Sequence, residues 1–120
     1  MPSVQLDKLQ AAIRHIPDFP KAGILFRDMM PLVKDPALFN QVLNAFQEAL
    51  ASISRIDYIV GIESRGFILG APLAQRLGVG FVPARKMGKL PGLVQRHAYD
   101  LEYGSDCIEI QADAFAPNSQ

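Results

Sequence analysis

One cysteine, Cys107, is the chain's whole supply of thiol, so no disulfide can form within it. Such usage fits a reducing compartment, and within a strand Cys107 reads as a small packing residue. Excess charge is also missing. Twelve basic residues balance twelve acidic ones, for a formal net charge of zero, which argues against an electrostatic binder of nucleic acid or membrane. No long apolar run and no secretory signal occur, so a soluble, cytoplasmic protein is expected. Nothing repeats at a fixed period and nothing is low-complexity. What is present is apolar content: 49% hydrophobic residues in 120, enough for the core of one small domain.

The chain is organised around Ile59-Val-Gly-Ile-Glu-Ser-Arg-Gly-Phe67. Asp57 to Ile62 is rich in aromatic and β-branched residues, as expected of a strand buried on both faces. Phe67, Leu69, Leu73, Ala74 and Leu77 then recur at helical spacing. Between strand and helix lies Glu63-Ser64-Arg65-Gly66. In open α/β sheets ligands bind where a strand hands over to a helix. The helix start offers unpaired N–H groups and partial positive charge, and Arg65 adds a forked cation suited to phosphate. The stretch is therefore a candidate cradle for phosphate or pyrophosphate; an ordinary βα turn with a surface arginine is the alternative.

Upstream, Leu6, Leu9, Ile13 and Ile16 predict an amphipathic helix over Val4–Ile16, capped by Ser3 and stopped by Pro17 and Pro20. His15 beside that stop is expected to face solvent. Lys21 to Asp28 is a short apolar run, either a strand or an extended loop, and Arg27 and Asp28 read most simply as a local ion pair. Asp35-Pro36 marks a helix start, an N-cap followed by proline at the first helical position. Leu38, Phe39, Val42, Leu43, Phe46 and Leu50 then predict a core-facing stripe. Gly78 ends the helix after Arg65, and Phe81 to Arg85 reads as the next strand. The alternation of helix and strand predicts βαβ units and a parallel sheet.

Arg85 to His97 is different in kind. It carries Arg85, Lys86, Lys89, Arg96 and His97 with no acid, and Gly88, Pro91 and Gly92 between them. It is either a solvated surface loop or a basic lid over an anionic substrate. Tyr99 to Tyr103 alternates like a strand, Gly104-Ser105-Asp106 turns it, and Cys107 to Ile110 returns, predicting a hairpin. Glu102 at the end of the basic loop is a candidate acid or base if closure removes water and raises its pKa; a solvent-exposed strand glutamate is the alternative. Pro117-Asn118-Ser119 is turn chemistry.

Four stretches together resemble the adenine phosphoribosyltransferase family: Ile16 to Asp28, Asp57 to Phe67, Arg85 to Gly92 and Leu101 to Gly104. The resemblance runs in one register over essentially the whole chain. It implies an α/β type I phosphoribosyltransferase fold, a Rossmann-like parallel sheet with a hood, incomplete at the C-terminus. It implies a single domain over 1–120: an N-terminal helix and hood to about residue 33, and a partial core from 34 to 120. That core would hold a lid at about 87–99 and a hairpin at about 99–110. The implied reaction joins adenine to phosphoribosyl pyrophosphate, giving AMP and pyrophosphate, with magnesium bound mainly through the phosphoribosyl pyrophosphate. A cytoplasmic homodimer is implied, with no nucleic-acid or membrane partner. Glu63, Ser64, Arg65 and Gly66 match the family's pyrophosphate loop, with a cis peptide between Glu63 and Ser64. Arg85, Lys86 and Lys89 match cations that approach the pyrophosphate. Leu25 and Arg27 match positions that hold adenine, which replaces the ion-pair reading of Arg27. Glu102 matches the residue set against adenine N7, and Tyr103 shares its closing segment; these are the candidate catalytic pair.

One departure stands out. The family carries an apolar strand ending in paired aspartates, then a loop of small residues and threonines that cradles the 5′-phosphate. No such motif occurs in these 120 residues, so the 5′-phosphate site falls to no residue here and no protein ligand for the metal is assigned. The favoured expectation is a truncated form of the enzyme. A non-catalytic dimer partner and a purine-responsive regulator are the alternatives, the last disfavoured by the neutral charge and the lack of a helix-turn-helix. The isolated chain is expected to be marginally stable through an open, apolar sheet edge.

Overall fold

The computed structural model describes residues 6–120. Ser3 and Val4, the expected cap and start of the first helix, lie outside the described residues. The chain divides into two compact units, the first ending at Ala51 and the second spanning Ser52–Gln120.

In the first unit, α1 (Leu6–Ala12) is followed by β1 (Arg14–Pro17), β2 (Leu25–Asp28), α2 (Met30–Lys34) and α3 (Pro36–Leu50). The expected helix to Ile16 therefore stops at Ala12. Residues before proline favour extended backbone, and Arg14–Pro17 gains an antiparallel partner instead, with Ile16 opposite Phe26 and Arg14 opposite Asp28. His15 is exposed, as expected. The Arg27–Asp28 pair does not form, because adjacent strand residues point to opposite faces. Asp28 is instead 9% exposed and accepts from Arg14 across the ribbon, at 2.6 Å, and from the Met30 N–H at 2.9 Å. The Met30 N–H, with Arg14 behind it, holds the Asp28 carboxyl below its ordinary value.

Asp35 caps α3 as read, its side chain accepting from the N–H groups of Ala37 and Leu38. The stripe along α3 is buried less than expected. Only Leu43 is fully buried, and Phe46 remains 41% exposed. The elements packed on α3 are short: α1 has 7 residues and α2 has 5, against 15 in α3, so they cover part of its length. Leu9, Leu32 and Leu43 form the core, one from each helix.

The second unit holds β3 (Tyr58–Ile62), α4 (Arg65–Leu77), β4 (Gly80–Lys86), β5 (Val94–Asp100) and β6 (Ser105–Gln111). Its sheet has the order β3-β4-β6-β5. Only β3 and β4 are parallel, joined through α4 as a βαβ unit, while β6 runs antiparallel to both β4 and β5. The sheet is thus mixed rather than wholly parallel. Gly78 closes α4 in the left-handed conformation at φ 69°, where glycine carries no Cβ penalty.

β3 is not buried on both faces. Val60 and Ile62 are 48% and 57% exposed, because β3 is an edge strand with one neighbour among the described residues. The chain's last residues return to its foot. Asp57 N–H donates to the Gln120 carbonyl at 2.8 Å, Gln120 N–H donates to the Asp57 carboxylate at 3.0 Å, and the Phe115 ring packs edge-on against Tyr58. A cleft of about 310 Å³ opens there between Val60 and Ser119.

Two further expectations shift. Residues 94–98, read as part of a loop, lie in β5, so the irregular part of the basic segment is 87–93. Leu101, Glu102 and Tyr103, read as strand, form the turn between β5 and β6, closed by Leu101 N–H to the Gly104 carbonyl at 2.9 Å. Gly104, at φ 99°, reverses the chain.

Candidate functional site

The β3–α4 turn is set by close backbone contact. A methyl group on Gly61 would run into the Gly66 carbonyl and stand 2.7 Å from the Phe81 ring. One on Gly70 would stand 2.6 Å from the same ring. These glycines let α4 settle directly on β3 and carry residues 63–66 past the strand's end. The Glu63–Ser64 peptide is cis, as the resemblance implied. Ser64 occupies the N-cap position of α4 but its side chain makes no capping hydrogen bond. The positive end of a 13-residue helix is therefore uncapped by side chains.

Glu63 ties this turn to the end of β4. Its Oε1 accepts from the Lys86 N–H at 2.6 Å and lies 3.4 Å from Arg85 Nε. The longer contact is an ion pair whose geometry makes no hydrogen bond. Arg85 Nε is buried without a hydrogen-bond partner, while the guanidinium lies 5.8 Å from the centre of the Phe67 ring. The Lys86 N–H, then the charges of Arg85 and Lys89, hold the Glu63 carboxyl below its ordinary value. Its one side-chain partner among the described residues is Arg85, at ion-pair distance. Arg65 is exposed at the mouth of the turn, and no carboxylate among the described residues lies within ion-pair distance of Arg65 or Lys89.

Lys86 is less available. Its Nζ pairs with the Asp106 carboxylate, which also accepts from Tyr99 Oη at 3.4 Å. This contact pulls the Asp106 carboxyl down and the Lys86 ammonium up from their ordinary values. Asp106, read only as a turn residue, thus faces a candidate ligand-binding lysine. Glu109 was missed altogether. It is 2% exposed and accepts from the Gly88 N–H and from Arg96 Nε. Its one signal in sequence is an acid placed to face a basic run once the hairpin register is known.

Leu25 and Arg27 stand exposed on β2, in the first unit. Glu102 and Tyr103 are exposed in the β5–β6 turn, Tyr103 at 88%, and neither side chain makes a hydrogen bond or ion pair among the described residues. The structure therefore brings together Glu63, Ser64, Arg65, Gly66, Arg85 and Lys86, and among the described residues Glu102 and Tyr103 make no hydrogen bond or ion pair with them. Among the described residues no group of three or more His, Cys, Asp or Glu side chains is placed to hold a metal.

An uncapped helix start faced by arginines suits pyrophosphate, and known proteins bear on this directly. No family model matches the chain. An adenine phosphoribosyltransferase of Synechococcus sp. (strain JA-3-3Ab) is 54% identical over 112 residues, which are 93% of this chain and 64% of that protein. The chain belongs to the adenine phosphoribosyltransferase family. Among solved structures, the adenine phosphoribosyltransferase of Thermoanaerobacter pseudethanolicus superposes with a TM-score of 0.86 at 50% identity, covering 92% of this chain and 63% of that one. The Saccharomyces cerevisiae enzyme, solved with an imino-altritol bisphosphate and adenine, gives 0.86 at 49% identity, covering 94% and 66%. The fold is that of these phosphoribosyltransferases, and the chain spans somewhat under two thirds of the relatives it matches.

Proposed function

We propose that the protein transfers a phosphoribosyl group to adenine, and that this chain carries the pyrophosphate side of the donor site. Adenine N9 would bond to the ribose anomeric carbon as the bond from that carbon to pyrophosphate breaks, the N9 proton leaving the base. Positive charge builds on the sugar, as in related glycoside transfer, and negative charge on the leaving group. Arg65, Arg85 and Lys89, with the start of α4, would stabilise that leaving charge. Lys86 would join them once released from Asp106. When bound, magnesium supplies further neutralisation of the pyrophosphate oxygens. With no cluster of protein ligands among the described residues, it would be held through the substrate. Leu25 and Arg27 would hold the base from the hood, and Glu102, protonated, would share its proton with N7 while Tyr103 closes beside it. Residues 87–93 and the start of β5 would act as the lid that excludes water. A cytoplasmic homodimer completes the reading.

The observation that carries this is Arg85, whose Nε is buried without a hydrogen bond beside the Glu63–Gly66 turn while the rest of its side chain stays partly exposed. The test is calorimetric titration of the chain with magnesium pyrophosphate. Saturable binding, weakened roughly tenfold by Arg85→Gln through loss of a charge-assisted contact, is expected. No saturable binding, or equal binding by the variant, would refute the assignment. Pyrophosphate release from adenine and phosphoribosyl pyrophosphate, assayed on the native polypeptide of its measured mass, tests the whole reaction. Release with guanine in place of adenine would overturn the choice of base.

A further inference from the structure

We propose that Glu109 is a positioning residue that fixes both stems of the basic loop. The functional meaning rests on the reading that this loop meets pyrophosphate. Glu109 lies in β6 opposite Arg85 of β4 on one side and Arg96 of β5 on the other. Its two carboxylate oxygens divide between the stems. Oε1 accepts from the N–H of Gly88, just past β4, at 2.9 Å, and Oε2 accepts from Arg96 Nε, near the start of β5, at 2.7 Å. Between these points residues 87–93 are largely exposed, Met87 at 58% and Leu93 at 85%. Two further bonds help at the far stem, Ala112 N–H to the Leu93 carbonyl at 2.9 Å and Gln111 Nε2 to the Pro91 carbonyl at 3.4 Å. At the near stem, Lys89 N–H donates to the Lys86 carbonyl at 3.3 Å.

A carboxylate 2% exposed is a poor device for stability alone, because an apolar side chain avoids the desolvation cost. Glu109 supplies position. Gly88 leaves β4 at φ +83°, and the bond to its N–H sets the direction in which the chain departs. Lys86 and Lys89 stand either side of that residue, and Arg85 lies opposite Glu109 in the sheet. One buried anion therefore aims three cations without touching the ligand.

The test is amide hydrogen exchange on the full chain, with Glu109→Gln and Arg96→Gln compared to the parent, together with the ¹⁵N–¹H signal of Arg96 Nε. Loss of the charged acceptor should speed exchange at Gly88 and across 87–93 roughly tenfold, with α4 unchanged. The Arg96 signal should move to the position of free arginine. Arg96→Gln, which alters an exposed side chain, should speed the same amides about threefold. Unchanged loop exchange in both variants would overturn the proposal, as would a rise shared equally by the loop and α4. If Glu109→Gln does not fold, Arg96→Gln decides alone: a loop-selective rise supports the proposal and no rise defeats it. Magnesium pyrophosphate added to the parent separates the two readings. Failure to slow loop exchange counts against the pyrophosphate assignment, whereas the ligand-free comparison judges Glu109.

Discussion

The β3–α4 turn and the β5–β6 hairpin hold the two halves of the candidate pyrophosphate site by different means. The turn is held by shape: Gly61, Gly66 and Gly70 allow backbone and the Phe81 ring to approach where a Cβ would collide. The hairpin is held by charge: Glu109 to Arg96 and Gly88, Asp106 to Lys86. Contacts of shape ignore pH and salt, whereas charge contacts depend on both. The fixed half suits a cradle that must already fit pyrophosphate, and the conditional half suits a loop that must open and close.

The largest effect should come from breaking the shape-held half. Gly61→Ala puts a methyl against the Gly66 carbonyl, which is backbone and has nowhere to yield. A loss of about 3 kcal/mol by urea unfolding is expected, at the upper end of overpacking costs, with pyrophosphate binding abolished. Gly92→Ala is the control. Its Cβ meets open space at φ +76°, so a loss of about 1 kcal/mol from the left-handed backbone is expected. Equal losses at the two sites would end the distinction.

Acid should act on the other half. Glu109 is held below its ordinary value of 4.5 by the Gly88 N–H and Arg96, and Asp106 below 3.8 by Lys86 and the Cys107 N–H. Carboxyls lowered by folding contribute stability that is complete above the unfolded value and is lost as pH falls through the folded one. Below 4.5, then, amides of 87–93 and the hairpin should lose protection, as should the Lys86 N–H that Glu63 holds, while those of α4 from Phe67 to Gly70 keep theirs. Loss at both regions at the same pH would mean that one cooperative unit opens.

The same division decides what was legible from residues alone. The Asp35-Pro36 cap, the glycine stop at Gly78 and the strand–turn–helix around Arg65 rest on neighbours in sequence, and each was readable. Arg14–Pro17 was not, because Ile13 and Ile16 continue a helical spacing while the strand depends on a partner strand, Leu25–Asp28, beyond an intervening loop. Strand β5 was hidden by composition: Gln95, Arg96 and His97 lack the apolar alternation of a strand because β5 is an exposed edge. Glu109 was invisible since its burial exists only once β4, β5 and β6 are in register. Arg85, Lys86 and Lys89 could be named as cations, but which of them is held back by an acid was written only in the fold.

Asp106→Asn sharpens the comparison further. Lys86 and Asp106 keep side-chain exposures of 55% and 27%, so their pair should contribute little to stability. Removing the charge frees Lys86 for an anion. Pyrophosphate affinity should rise about threefold, and the gain should vanish at high salt. An affinity that falls would show that Asp106 aims Lys86 and does not restrain it.

The smallest effect on folding, and the most telling contrast with Gly61, belongs to Glu102 and Tyr103. Both are exposed in the hairpin turn and held by no side-chain contact among the described residues, so Glu102→Gln and Tyr103→Ala should change stability by no more than about 0.5 kcal/mol. If Glu102 donates to adenine N7 as proposed, its substitution acts on the reaction alone. In the catalytically competent protein, Glu102→Gln should lower turnover far more than it weakens adenine binding. The amide keeps a donor but cannot share a titrating proton with the base as charge develops. Equal losses in turnover and adenine affinity would assign Glu102 to binding, and a measurable loss of stability would mean that the turn packs against something and is not free to close.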